Sequence, residues 1–184
     1  FDGPVENATV RVLSLGAGVQ SSVMALMAAQ GELEPVPDCA IFADTQWEPE
    51  AVYKHLDWLE KQLPFPVYRV TNGNIRERVL ESTIKDKRTD SMPVFTSPSK
   101  AILWRQCTAY YKLMPITQKI KELIGLKKNQ RVPSDVMVER WIGISMHEIQ
   151  RAKDSSDKWA VNRYPLIEKR ISRYACQLWF EDNY

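Results

Sequence analysis

The residues of this chain that are spaced for chemistry begin at Gly16, in the run Val10-Arg-Val-Leu-Ser-Leu-Gly-Ala-Gly-Val-Gln-Ser-Ser22. Gly16 and Gly18 permit positive φ and let backbone N–H groups approach an anion with no Cβ in the way. Ser21 and Ser22 follow where a helix would open, offering hydroxyls beside unpaired amides and a dipole that favours negative charge. Ser14, Gly16, Ala17, Gly18, Gln20, Ser21 and Ser22 are therefore candidate phosphate-binding residues. The competing reading is a tight strand-to-helix turn with a serine N-cap. No Lys-Ser/Thr pair follows the glycines, so the nucleoside-triphosphatase P-loop is absent, and the G-x-G-x-x-G dinucleotide fingerprint fails at Ser21.

Three further groups carry polar chemistry. Asp44 and Thr45 end the apolar run Cys39-Ala-Ile-Phe-Ala43, at the edge where open α/β sheets bind ligands; alternatively one of them caps the next helix, with Glu48 completing a capping box. In Leu103-Trp-Arg-Gln-Cys-Thr-Ala-Tyr-Tyr-Lys-Leu-Met-Pro115, Arg105 has the fork for a phosphate or sulfate, Thr108 a hydroxyl donor and Lys112 a mobile positive charge. Trp104, Tyr110 and Tyr111 beside these cations read as core packing or as stacking groups for nucleic acid. Finally Gly143, Ser145, His147, Glu148 and Arg151 follow an apolar run. His147 and Glu148 are i, i+1 neighbours that diverge on a helix, so no joint site is expected of them.

The elements that must position these groups are legible in the pattern. Val10–Leu15 predicts a strand and Val23–Gln30 a helix opened by Ser21 and Ser22; Cys39–Ala43 is a second strand. From Glu50 to Leu63, Val52, Leu56, Leu59 and Leu63 recur at helical spacing, with His55 on the polar side as a surface histidine. Val67–Val70 is a third strand, Ile75–Glu81 a helix, Ile116–Ile124 another, and Val136–Ile144 a further strand. In the final helix Ile171, Ala175, Leu178 and Trp179 make the apolar face. Repeated βα units imply a doubly wound, mainly parallel sheet with helices on both faces. Residues 82–100 break the periodicity with lysines, an arginine and prolines, and read as a basic lid or a solvated excursion.

Collectively these residues resemble a known family. Gly16-Ala-Gly-Val-Gln-Ser21 resembles the Ser-Gly-Gly-x-Asp-Ser pyrophosphate loop (PP-loop) of the adenine nucleotide α-hydrolase superfamily. Within it the chain is most similar to the phosphoadenosine phosphosulfate (PAPS) reductase family, especially its phage and bacterial branch, through Phe42-Ala-Asp-Thr45, Arg105-Gln-Cys-Thr108, Tyr111-Lys112, Pro115, Trp141-Ile-Gly-Ile-Ser145 and Tyr164-Pro-Leu-Ile167. The family's second glycine is Ala17 here, its loop Asp is Gln20, and a frequent arginine is Ser145, while Arg151 resembles a second arginine. The resemblance implies a Rossmann-like fold and an adenine nucleotide, ATP or a sulfonucleotide such as PAPS, with Mg²⁺ beside it. It implies catalytic roles for Asp44, Arg105 and Lys112, and nucleotide contacts from the loop residues, Thr45, Thr108, Gly143 and Arg151. No residue is assigned as a metal ligand.

Two reactions follow from that resemblance. In one, the loop holds the β,γ-phosphates of ATP while an acceptor attacks the α-phosphate, releasing pyrophosphate and priming the acceptor for sulfur or amine attack. In the other, a cysteine thiolate attacks the sulfate sulfur of a sulfonucleotide. The reductases carry that cysteine on a Glu-Cys-Gly-x-His tail that this sequence lacks, so reduction ranks second. A non-catalytic nucleotide-binding module serving a protein or nucleic acid is the third reading. Cys107 resembles one member of a cluster-binding Cys-Cys pair whose other member is Gln106. Four thiolates usually hold a [4Fe–4S] cluster, so with Cys39, Cys107 and Cys176 scattered an iron–sulfur cluster is not expected on this chain alone. Cys107 and Cys176 read either as half of a site completed elsewhere or as ordinary buried thiols.

Composition bounds these readings. A chain of 184 residues with 44% hydrophobic residues is expected to form a single PP-loop domain over residues 1–184. A formal charge of +2 does not announce a nucleic-acid binder. With no apolar stretch long enough for a membrane, no secretory leader and three cysteines, a cytoplasmic location is expected. The chain opens on Phe1 and stops just after a helical pattern, so truncation at the C-terminus is a further expectation. The acceptor, whether small molecule, protein or nucleic acid, and the oligomeric state are left open by the sequence.

Overall fold

A computed structural model of the chain describes residues 3–84, 108–127 and 130–184. Residues 85–100 of the expected lid, together with Arg105 and Cys107, lie outside the described residues. Five strands form one all-parallel sheet in the order β3-β2-β1-β4-β5: β1 (Val10–Leu15), β2 (Cys39–Asp44), β3 (Val67–Thr71), β4 (Val138–Ile142) and β5 (Ala160–Arg163). The helices are α1 (Val19–Ala29), α2 (Glu50–Glu60), α3 (Ile75–Ile84), α4 (Met114–Leu123), α5 (Pro165–Glu168) and α6 (Arg173–Asn183). This is the doubly wound, Rossmann-like α/β arrangement that the repeated βα pattern predicts. Among the described residues, no helix is long and apolar enough to cross a membrane.

Both sheet faces are covered, as parallel strands require. On one face Leu13, Leu15, Phe42 and Trp141 pack against α1, Leu56 and Leu59 of α2, Leu166 and Cys176. On the other, Val12, Ile41, Val138 and Ala160 pack around Ile120 of α4. The alternation along β1 explains the split, because Val12 and Leu13 point to opposite faces. Residues Gln20 to Ala28 of α1 are all buried. That suits a helix lying between the sheet and α6.

Four local expectations change. Helix α1 begins at Val19, before the serines, with Gly18 as a cap that makes no side-chain hydrogen bond. Pro49 precedes α2, again without a side-chain cap, so neither Asp44 nor Thr45 caps that helix. Leu178 is 42% exposed and leaves the apolar face of α6 to other residues. Strand β5 was not expected, because Ala160-Val-Asn-Arg163 has no apolar run. A π-helix, Thr108–Leu113, also precedes α4 and packs on β2.

Around β4 a charged cluster is sealed into the protein. Glu139 is fully buried; its Oε1 accepts from Trp141 Nε1 at 2.6 Å and Arg163 Nη1 at 3.4 Å, and its Oε2 accepts from the Val5 amide at 2.5 Å. Arg163 also donates to Glu168 and lies 4.7 Å from the centre of the Trp141 ring. Arg11 donates to the Val5 carbonyl at 2.8 Å. Arg163 of β5 is thereby buried with partners, as buried charge demands.

Candidate functional site

The strand order reverses between β1 and β4, since the chain runs β1, β2, β3 to one side and then returns to place β4 and β5 on the other. Ligands of open α/β sheets sit at the carboxyl ends of the strands at this switch point. Here the β1–α1 loop Gly16-Ala17-Gly18 faces Gly143-Ile144-Ser145. A Cβ on Gly143 would lie 3.0 Å from both N and Cα of Ser21. Glycine at this position therefore lets the end of β4 lie directly against the first turn of α1.

The loop is braced from within. Ser21 Oγ accepts the Gly16 amide at 3.2 Å and donates to the Gly18 carbonyl at 3.1 Å. Ala17 takes a left-handed φ of 52°. Because α1 starts at Val19, its first three amides have no intrahelical acceptor, and no side chain caps them. The groups left free to meet a ligand are thus backbone N–H groups, while the Ser21 hydroxyl is used in holding the loop's shape. The Ser22 hydroxyl, one residue on, faces α2 and meets His55 Nε2 at 2.9 Å.

Gln20 joins the two sides of the crevice. Its Nε2 donates to Ser145 Oγ at 3.2 Å and to Glu148 Oε2 at 2.5 Å, and Glu148 also receives Arg151. Burial pushes the Glu148 carboxyl up, but the hydrogen bonds from Arg151 and Gln20 outweigh it and hold the group below its ordinary value. Glu148 and Arg151 come from a short 3-10 segment, Met146–Arg151, while His147 is exposed. A carboxylate therefore stands beside the loop and is paired with Arg151. Replacing Glu148→Gln keeps an acceptor for Gln20, removes the charge and releases Arg151. Its dissociation constant for pyrophosphate at low salt is expected to drop about fivefold, an exposed ion pair being worth up to about 1 kcal/mol. Calorimetric titration checks this; weaker binding would show that Glu148 holds Arg151 where an anion needs it.

The neighbouring strand edge carries Asp44 and Thr45. Asp44 Oδ1 accepts from the Gln46 amide at 2.7 Å and the Tyr53 hydroxyl at 2.8 Å, fixing a turn in which Gln46 has φ of 59°. Thr45 is buried and donates to Glu48 Oε1 at 3.0 Å, so its hydroxyl is used within the turn. Burial, then the hydrogen bond to Asp44, raises the Tyr53 pKa. Thr108 and Lys112 lie exposed on the π-helix. Ser14, the fifth residue of β1, points to the opposite sheet face and lines a groove of about 870 Å³ with Ile142, Arg140 and Asn162.

The structure thus sets Gly143 against Ser21 at the Gly16-Ala17-Gly18 loop and links Gln20 to Arg151 through Glu148, with Asp44 and Thr45 at the end of the adjacent strand. It leaves Ser22 against α2. Residues that sequence reasoning missed are Tyr53, which orients Asp44, and Glu148 as the hub between Gln20 and Arg151. His55 is partly buried rather than a surface histidine, and burial lowers its pKa. Cys39 and Cys176 are buried thiols pushed up to about 12 and about 11 by that burial. Among the described residues, no group of three His, Cys, Asp or Glu side chains is placed to hold a metal ion. No family model matches the chain, and no curated protein matches it.

Proposed function

We propose that this protein binds an adenine nucleotide at the β1–α1 loop and acts as an ATP pyrophosphatase that adenylates an acceptor. The observation that carries this reading is the uncapped first turn of α1, opening at the switch point of a parallel sheet beside Gly143. Three convergent amides and the positive end of a helix favour a phosphate group. In this reading the loop amides and Arg151 hold the β,γ-phosphates. The acceptor oxygen attacks the α-phosphorus, the bond to the β-phosphate oxygen breaks, pyrophosphate leaves, and the acceptor proton passes to solvent. Lys112 is the proposed mobile charge, and Arg105 the proposed forked donor, at the α-phosphate. Positioning and charge neutralisation supply most of the acceleration.

The donor set fits one Mg²⁺. Asp44 Oδ1 is occupied, whereas Oδ2 has no hydrogen-bond donor among the described residues. One or two carboxylates plus substrate phosphates are a common magnesium site. Bound there, the ion would neutralise phosphate charge as it builds. Gln20 brings no carboxylate, and its amide is committed to Ser145 and Glu148.

A non-catalytic nucleotide-binding module is favoured by that same Gln20–Glu148 latch, which puts an amide in the loop and a negative charge at the rim. Sulfonucleotide reduction needs a reactive thiolate, and the two cysteines among the described residues, Cys39 and Cys176, are buried with raised pKa values. Incubation with Mg²⁺ and ATP labelled in the α-phosphate, and separately with PAPS or adenosine phosphosulfate plus thioredoxin, tests all three. AMP with pyrophosphate, water standing in for the acceptor oxygen, is the expected result. Nucleotide binding with no AMP would leave the binding module, and sulfite would establish the reductase reading instead.

A further inference from the structure

A second cavity, of about 300 Å³, lies on the α2 and α6 side of the phosphate loop. Ala17 and Val19 form one wall, Phe180 of α6 another, Ser22 and His55 line it as a hydrogen-bonded pair, and Glu181 contributes a carboxylate. The pair does not read as a nucleophile and its base. Ser22 is 1% exposed and its amide is bonded to the Gly18 carbonyl at 3.0 Å, so it offers no oxyanion donor. His55 is instead fixed in place, its ring stacked on Trp58 at 5.6 Å and edge-on to Phe180 at 6.4 Å. The result is a rigid, mainly apolar recess with a polar pair in its lining.

The chemistry of its lining selects an occupant. A volume of this size takes one small ring system at the lower end of ligand pockets. The apolar walls favour a hydrocarbon or aromatic body. Among the described lining residues, Glu181 is the one carboxylate, and no lysine or arginine is present, so a cation is accepted and an anion opposed. We propose that this cavity binds a small aromatic amine, its ring between Val19 and Phe180 and its ammonium on Glu181. This site adjoins the phosphate loop, sharing Ala17 with it, and does not depend on the reading of the loop as an ATP pyrophosphatase.

Phenethylamine, 2-phenylethanol and phenylacetate share a ring and differ in charge, and the two histidines make a convenient pair of reporters. The expected result is that phenethylamine shifts the His55 ring resonances in a saturable way and leaves His147 unmoved. The alcohol should bind about threefold to fivefold more weakly, as an exposed ion pair would give, and the acid more weakly still. Glu181→Gln should erase the preference for the amine over the alcohol. Gln177→Phe, at another exposed position lining the cavity, should block all three probes. No shift at His55, equal binding of amine and acid, or undiminished binding to the Gln177 variant would overturn the proposal.

Discussion

Asp44→Asn is expected to lower AMP formation about a hundredfold or more, the scale of losing one group that stabilises transition-state charge, while leaving the nucleotide dissociation constant within about threefold. The separation follows from how Asp44 is held. Its Oδ1 accepts from the Gln46 amide and the Tyr53 hydroxyl. An amide oxygen accepts both, so the turn that keeps Gln46 at φ of 59° survives the substitution. The charge lost is on the oxygen that has no donor among the described residues, the one proposed for Mg²⁺. Single-turnover AMP release, paired with calorimetric binding, resolves chemistry from affinity. Unchanged turnover would reduce Asp44 to a turn-forming residue and remove it from the proposed mechanism. Equal losses in turnover and binding would make it a binding group. Tyr53→Phe is the companion: it removes one donor to Oδ1, keeps the charge, and is expected to have the smaller effect.

What the sequence disclosed and what it withheld divide along the range of the interactions. The strands β1 and β2 are apolar runs bounded by glycine or proline, so local composition marks them. The amphipathic spacing of Val52, Leu56 and Leu59 likewise reports a helix face before any partner is known, and Leu56 and Leu59 are buried as it implies. Strand β5 has no such signal, because Asn162 and Arg163 acquire partners in Arg140, Glu139 and Glu168 only after folding. At the candidate site the loop glycines and Asp44 announce themselves through type and position. The contacts that complete the site do not: Gln20 reaches Ser145 and Glu148 across separations of 125 and 128 residues, and Ser22 reaches His55 across 33. Nothing local specifies those pairings. The start of α1 shows the same limit on a smaller scale. Two serines are good helix openers, yet Gly18 opens the helix and Ser21 turns back to brace the loop.

That dependence on distant partners makes the buried cluster at β4 the most vulnerable part of the scaffold. Glu139→Ala is expected to cost about 3–5 kcal/mol, the usual effect of removing one member of a buried ion pair. The substitution takes acceptors from Trp141 Nε1, Arg163 and the Val5 amide at once. Arg163 keeps Glu168, but Arg11 loses its nearest carboxylate, at 3.9 Å, while its Nε already has no hydrogen-bond partner. The chain runs on from β4 directly into Gly143 and Ser145, so a loosened Glu139 also loosens the segment that packs against Ser21. Urea denaturation measures the loss directly. Glu139→Gln separates charge from shape: its single amide oxygen keeps an acceptor for either Trp141 or Val5 and turns an NH2 toward the other, and it should cost about 1–3 kcal/mol, nearer the loss of a hydrogen bond to a charged group. A loss under about 1 kcal/mol for the alanine variant would mean that the cluster is hydrated rather than sealed. A larger loss for glutamine than for alanine would place the energy in the uncompensated arginines, because alanine leaves room for water where glutamine does not.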